Sequence, residues 1–351
     1  MSVLGIRNRH LSSLLEVVRR TTRSVDFPPG GGVLGILCQR VWMTEPPLAP
    51  AATSHRLPAF GIGAAGAVLG LLPWLVAGTL PLQNLWATQT VPEDMPYVLL
   101  PLSQYYATML FSLVLLGGVF AGLAVRVARR GRAVSMWPAA LGVALVHLIA
   151  AVQSFVVLAR GLGLMDGSGD TRAALYFGGM LGGAVVAALL AQVGLWMTSR
   201  PSVAVASLGI ALAAVPFGTW VVRWFAAFAG PSGPWMVVSS IGYWLPAVVV
   251  GVALVWCGVR PVGRLAVWAI ALLSVWVVPA VFTAIGYGLG MRVLQGDVRE
   301  MAEASMQVFP SVMAEMWRPV VLAVLIAVVG SIVRVAVAKR SARLADAAVT
   351  S

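Results

Sequence analysis

Eight apolar stretches, each long enough to carry a helix through a bilayer, follow one another along the chain with short loops between them. They cover residues 58–80, 105–127, 134–158, 173–197, 202–228, 235–258, 265–290 and 317–337. About 20 residues of helix cross the hydrocarbon core, and every amide inside it must find its hydrogen bond within the helix. Of the 351 residues, 60% are hydrophobic and 10% charged, where a water-soluble domain carries roughly a quarter charged residues. A soluble fold is excluded, and the pattern predicts an all-α, polytopic integral membrane protein of about eight transmembrane helices.

Orientation follows from the bias of Arg and Lys between alternate loops. With the N-terminus inside, 18 of the 24 basic residues fall on the cytoplasmic face, among them the Arg126, Arg129, Arg130 and Arg132 group, Arg200, Arg260 and Arg264. The outer face receives six basic and eight acidic residues, the inner face eighteen and four, which together account for the net charge of +12. One span more or fewer would scramble that sorting, so the charges predict an N-in, C-in plasma-membrane protein. The basic excess is distributed over short loops at one face, which fits anionic headgroups and not a nucleic-acid groove. Trp137, Trp196, Trp220, Trp224, Trp235, Trp256 and Trp317 fall near predicted span ends, where an indole prefers the interface. One lysine against 23 arginines, with Ala, Val, Gly and Leu dominant, suggests a GC-rich bacterial source.

The chain divides into a basic, largely disordered cytoplasmic segment at 1–56, a transmembrane domain at 57–338 and a cytoplasmic tail at 339–351. The first segment reads either as an Arg-rich amphipathic helix on the inner leaflet or as sequence upstream of a true start at Met43, which would leave 1–42 untranslated. Its apolar run at 33–38 is too short for a signal peptide. A shift of 60 residues pairs Trp196 with Trp256, Arg200 with Arg260, Pro201 with Pro261 and Val215 with Val275. That pattern fits two copies of one hairpin, or merely two inner turns with like punctuation. Before the last span, Val298, Met301, Ala302, Ser305, Met306 and Phe309 recur at helical spacing, with Asp297, Glu300 and Glu303 on another face. An extracytoplasmic amphipathic helix ended by Pro310 is expected there.

Residues able to carry chemistry are few. There is no Gly-rich Lys-Ser/Thr phosphate loop, no Cys-x-x-Cys and no His-x-x-x-His element, so no ATPase of its own, metal or cofactor is expected. Cys38 and Cys257 both fall on the inner face, and no disulfide is expected. His147, central in the third span, is a candidate proton relay or substrate contact, with the alternative of a neutral imidazole hydrogen-bonded between helices. Ser154 shares its face two turns on, with Gln153 and Gln192 adding polarity. Arg223, between Trp220 and Trp224, is a candidate anion ligand or a side chain snorkelling to headgroups. Glu93 and Asp94 follow the first span and are candidate substrate ligands or members of a solvated loop. Polyprenyl-phosphate-sugar transferases are similar in keeping an acid in the first outer loop, and that resemblance implies a carboxylate acting as base or metal ligand on a lipid substrate; the chain is short for such enzymes.

Gly66 and Gly70, Gly118 and Gly122, Gly178 and Gly182, and Gly179 and Gly183 stand four apart and allow close helix approach. Pro73, Pro216, Pro246 and Pro279 lie inside spans, each freeing a carbonyl. Three functions are compatible with these features: a transporter or permease-like component, a non-catalytic membrane partner in a cell-envelope or secretion assembly, and a lipid-substrate enzyme using Glu93 or Asp94. The expected partners are the lipid bilayer and a membrane protein or second copy of the chain; nucleic acid is not expected.

Overall fold

Long runs of Ala, Leu, Val and Gly with almost no charge can satisfy their backbone in an apolar solvent by forming helices, and the chain does so. The computed structural model describes residues 56–76, 94–131, 133–229, 233–291 and 297–350. The segment before Arg56, with Met43 and Cys38, lies outside them, as does Glu93. The described residues contain no strand. Their helices are α1 (Arg56–Val76), α2 (Ala107–Ala128, entered through a 3-10 turn at Gln104–Tyr106), α3 (Met136–Gly161), α4 (Thr171–Ser199), α5 (Val203–Leu212), α6 (Ala214–Ala229), α7 (Trp235–Cys257), α8 (Arg264–Gly290), α9 (Val298–Glu315) and α10 (Trp317–Thr350).

Seven of these are long and apolar enough to cross a membrane: α1, α2 with its 3-10 turn, α3, α4, α7, α8 and the Trp317–Ser341 part of α10. The remaining expected span, 202–228, is not one continuous helix. Between α5 and α6 the axis bends by 49° at Ala213. Pro216 explains the break, because it offers no N–H to the carbonyl four residues earlier, and that carbonyl belongs to Leu212, the last residue of α5. A count of eight crossings holds only when the bent pair is taken as one span.

Two apolar clusters organise the bundle. One joins α1 to α4 through Leu71, Trp74, Leu110, Leu113, Phe155 and Leu158. The other joins α5, α6, α7, α8 and α10 through small residues, including Ala211, Ala214, Ala247, Val250, Ala271 and Ala327. α6 links them, with Phe217 and Trp220 packed against Leu116, Val119 and Phe120 of α2. The Trp220 indole donates to the Gly70 carbonyl of α1 at 3.1 Å. Trp137, Trp235 and Trp317, each within two residues of a helix start, are exposed.

Close approach of α1 and α2 depends on paired glycines. A β-carbon on Gly70 would lie 2.5 Å from the Gly117 nitrogen, closer than any side chain tolerates. The Gly178, Gly179, Gly182 and Gly183 set does not behave this way. A β-carbon on any of them would meet nothing within 4 Å, because α4 turns that face away from the bundle.

α9 departs from expectation at two points. It continues through Pro310 to Glu315. The carbonyl that this proline frees, on Met306, lies on an exposed part of the helix, so the helix need not stop. Its packed stripe centres on Ala304 with Met301, Ser305, Val308 and Val312 half-buried, whereas Val298 and Met306 are 71% and 74% exposed. Asp297 caps the first turn by accepting from the Arg299 and Glu300 amides, both at 3.0 Å.

Candidate functional site

Three proline-bearing helices converge on a cavity of about 270 Å³. Gly242 and Pro246 of α7 form one wall, Val275 and Pro279 of α8 another, and Pro319 of α10 a third, with Val215 entering from α6 just past the bend. Pro246 and Pro279, inside α7 and α8, each strip a donor from the carbonyl four residues earlier, while Pro319 stands in the first turn of α10 and the Tyr243 hydroxyl donates at 3.1 Å to the Glu315 carbonyl at the end of α9. For Pro246 and Pro279 the freed carbonyls are on Gly242 and Val275, both cavity residues. No described side chain donates to either. Ser239, also on the wall, directs its hydroxyl to the Trp235 and Met236 carbonyls at 2.8 and 3.0 Å, and its remaining oxygen lone pair is an acceptor. Val215 and Val275, paired by the 60-residue shift, thus face one cavity from two helices.

A second arrangement lies where α2 begins. Residues 98 and 100–104 are non-helical or 3-10, yet Val98, Leu100 and Leu102 are buried, with Ser103 at 2% and Gln104 at 8% exposure. Buried irregular backbone needs partners. Gln153 supplies two, accepting from Leu99 N at 3.0 Å and donating to Tyr97 O at 2.8 Å. Ser154 accepts from Leu100 N at 2.9 Å, Trp74 donates to Val98 O at 2.9 Å, and Tyr176 donates to Leu102 O at 3.1 Å. The polarity that α3 carries near its end is consumed in pinning this segment.

His147 sits between α1, α2 and α3 with 5% exposure. Neither ring nitrogen has a hydrogen-bond partner among the described residues, so the interhelical hydrogen bond expected of a structural histidine is not formed. The reason is local: Nε2 faces Gly117 and the Ala67 backbone, where helix carbonyls and amides are already paired. Arg223 on α6 is half-buried, its guanidinium 5.6 Å from the centre of the Trp74 ring. Its Nε is buried without a partner among the described residues. Asp94 is exposed at the start of the described stretch that precedes α2. His147, Arg223 and Asp94 do not line the cavity. Gln192 donates to the Ala140 carbonyl at 3.3 Å and so ties α4 to α3.

At the far end of α2 the arginines act as helix caps. Arg129 donates to Ser199 O at 3.0 Å, Arg126 reaches the Arg200 and Pro201 carbonyls, and Arg334 donates to Val255 O at 2.8 Å. Carbonyls at helix C-termini lack intrahelical donors and carry partial negative charge, so guanidinium groups suit them. Arg126 also lies 4.9 Å over the Trp256 ring. Among the described residues, no group of three or more His, Cys, Asp or Glu side chains is placed to hold a metal ion. Pro246 and Pro279 were visible in the sequence as prolines inside spans, and Val215 and Val275 as a pair in the 60-residue shift, but their joining with Gly242, Tyr243 and Pro319 shows only once the helices are packed.

No protein-family model, curated protein or solved structure matches the chain.

Proposed function

We propose that the chain is a permease-like component of a bacterial plasma membrane, without an ATPase of its own, with the bent α5–α6 pair counted as one of eight spans and both termini cytoplasmic. The observation that carries this reading is the cavity lined by α7 and α8, each with an internal proline, by the first turn of α10 and by Val215 beside the bend between α5 and α6. A cavity lined by proline-bearing helices beside a bent pair would give a transporter both a binding place and joints about which two halves can rock. The arginine bias supports the orientation, and α9 would lie at the outer surface as an amphipathic element.

The test uses a cysteine at Val275, which is 1% exposed, in a chain with Cys38 and Cys257 replaced by Ser and Ala. A membrane-impermeant maleimide applied to right-side-out and to inverted vesicles should label Val275→Cys from both faces, each slowly. Labelling from neither face, or from one face only, would remove the permease reading.

A second reading, a non-catalytic partner in an envelope assembly, is favoured by the open glycine face of α4 at Gly178, Gly179, Gly182 and Gly183. Small residues of this kind let another helix approach closely. The lipid-substrate enzyme gains nothing from an exposed Asp94.

A further inference from the structure

The wall of the α7–α8–α10 cavity combines hydrogen-bond acceptors with an absence of charge, and from this we propose that it binds a small uncharged solute bearing hydroxyl or amide donors. The inference rests on the permease reading and names the substrate class of the same site.

Four observations converge. The Gly242 and Val275 carbonyls lose their helical donors to Pro246 and Pro279, and a carbonyl in an apolar surround is costly to leave unmet. Ser239 has spent its proton on backbone carbonyls, and Tyr243 has spent its own on Glu315, so both hydroxyls turn acceptor lone pairs toward anything that approaches. The rest of the wall is Val215, Met316 and the three proline rings, apolar surface suited to a carbon skeleton. Among the described residues, no carboxylate, guanidinium or ammonium lines it. The charges nearest Tyr243, on Glu315 and Arg318, are opposite in sign and both exposed, so they impose little net field.

An anion would meet carbonyl oxygens and a cation no counter-charge, while either would lose its hydration shell. A neutral donor pays little for entry and satisfies the two freed carbonyls. A cavity of about 270 Å³ has room for a small polyol or simple amide.

The experiment measures solute entry into proteoliposomes of the full chain by stopped-flow light scattering, with glycerol and erythritol as neutral probes and glycine and glycerate as charged probes of like size. Glycerol and erythritol should enter several-fold faster than in protein-free liposomes, and the charged pair at the protein-free rate. Val215→Phe, which projects a ring into the cavity, should abolish the difference, whereas Leu189→Phe on the exposed face of α4 should keep it. Glycerol protection of Val275→Cys against maleimide is a second readout that does not depend on Val215→Phe folding, with protection expected by glycerol and none by glycine. Equal entry of charged and neutral probes, or no entry and no protection while Val275→Cys labels from both faces, would overturn the substrate class alone. Failure of that labelling would overturn the permease reading and this inference together.

Discussion

His147 on α3 rests its imidazole against the bare backbone of Gly117 on α2: a β-carbon at Gly117 would stand 2.9 Å from Nε2 and 2.9 Å from the Ala67 α-carbon. The histidine fills the space that two glycine-bearing helices leave between them, and its nitrogens are buried without partners among the described residues. Filling shape therefore outweighs hydrogen bonding at this junction. His147→Phe should leave thermal stability in detergent unchanged or raise it, by about 1 kcal/mol, since it removes buried unsatisfied groups while keeping the ring. Gly117→Ala should lower stability by about 1–3 kcal/mol through overpacking. Loss of stability in His147→Phe would show that the imidazole nitrogens do have a role.

The buried segment before α2 depends on a few long-range hydrogen bonds. Gln153 alone serves two backbone groups, on Tyr97 and Leu99, from 54 or more residues away. Gln153→Ala leaves both unpaired, and we expect a loss of about 1–3 kcal/mol. Hydrogen exchange should report faster exchange at Leu99 and Leu100 than in the unmodified chain, with α4 unaffected away from Tyr176. Unchanged exchange would mean that Trp74 and Ser154 suffice.

How much of this was legible in the sequence depends on whether the cause is local. The span 235–258 and the helix Trp235–Cys257 nearly coincide, because an apolar run bounded by Pro234 and Gly258 carries its own start and stop. Pro216 was visible as a kink, but its consequence, a full break with a 49° bend, depends on α6 packing against α2 through Trp220. Residues 95–104 fall between two predicted spans. Within them 98 and 100–104 are buried, with Trp74, Gln153, Ser154 and Tyr176 supplying hydrogen bonds to the segment, and nothing in a local window links those positions. The cavity failed to show for the same reason: each Gly242–Pro246 or Val275–Pro279 pair is a local signal, and their convergence is not. Glu93 lies outside the described residues, so its pairing with Asp94 carries no geometry.

The loop between α3 and α4 gives a pH dependence. Asp166 accepts from the Ser168 hydroxyl at 2.7 Å and from the Ser168 amide at 3.1 Å, and these bonds hold its carboxyl below the usual aspartate range. A depressed folded-state value makes the turn's stabilisation fully present above the unfolded value of about 3.9 and lost as pH falls through the lower, folded value. We expect amide protection at Ser168 to persist as pH is brought down to about 4 and to disappear below it. In Ser168→Ala, which keeps only the amide donor, protection should fade at higher pH. An identical profile in the two chains would show that the hydroxyl contributes nothing.

The arginine caps separate fold from topology. Arg334 donates to the Val255 and Trp256 carbonyls at the end of α7, at 2.8 and 3.1 Å. Arg334→Lys keeps the positive charge that biases insertion but, with its shorter side chain, withdraws the donor from the place where one guanidinium nitrogen reaches both carbonyls. We expect unchanged membrane orientation, read by protease protection of a C-terminal tag, with stability reduced by about 0.5–1 kcal/mol. A flipped tag would mean that this arginine acts through geometry on insertion itself.

The proline at the cavity supplies the sharpest separation of stability from activity. Pro246→Ala restores an N–H opposite the Gly242 carbonyl, so α7 gains a backbone hydrogen bond and loses both its joint and one of the two free acceptors at the wall. A purely structural proline would make this change neutral in transport and stabilising by about 1 kcal/mol. On the permease reading, the stabilisation appears together with a several-fold fall in glycerol entry, and Pro279→Ala repeats the pattern on α8 through Val275. The double variant should be the most stable and the least active, because two joints and two acceptors are lost from one cavity. Stability that rises while entry stays constant in all three would make the kinks packing features and leave the cavity without a transport role.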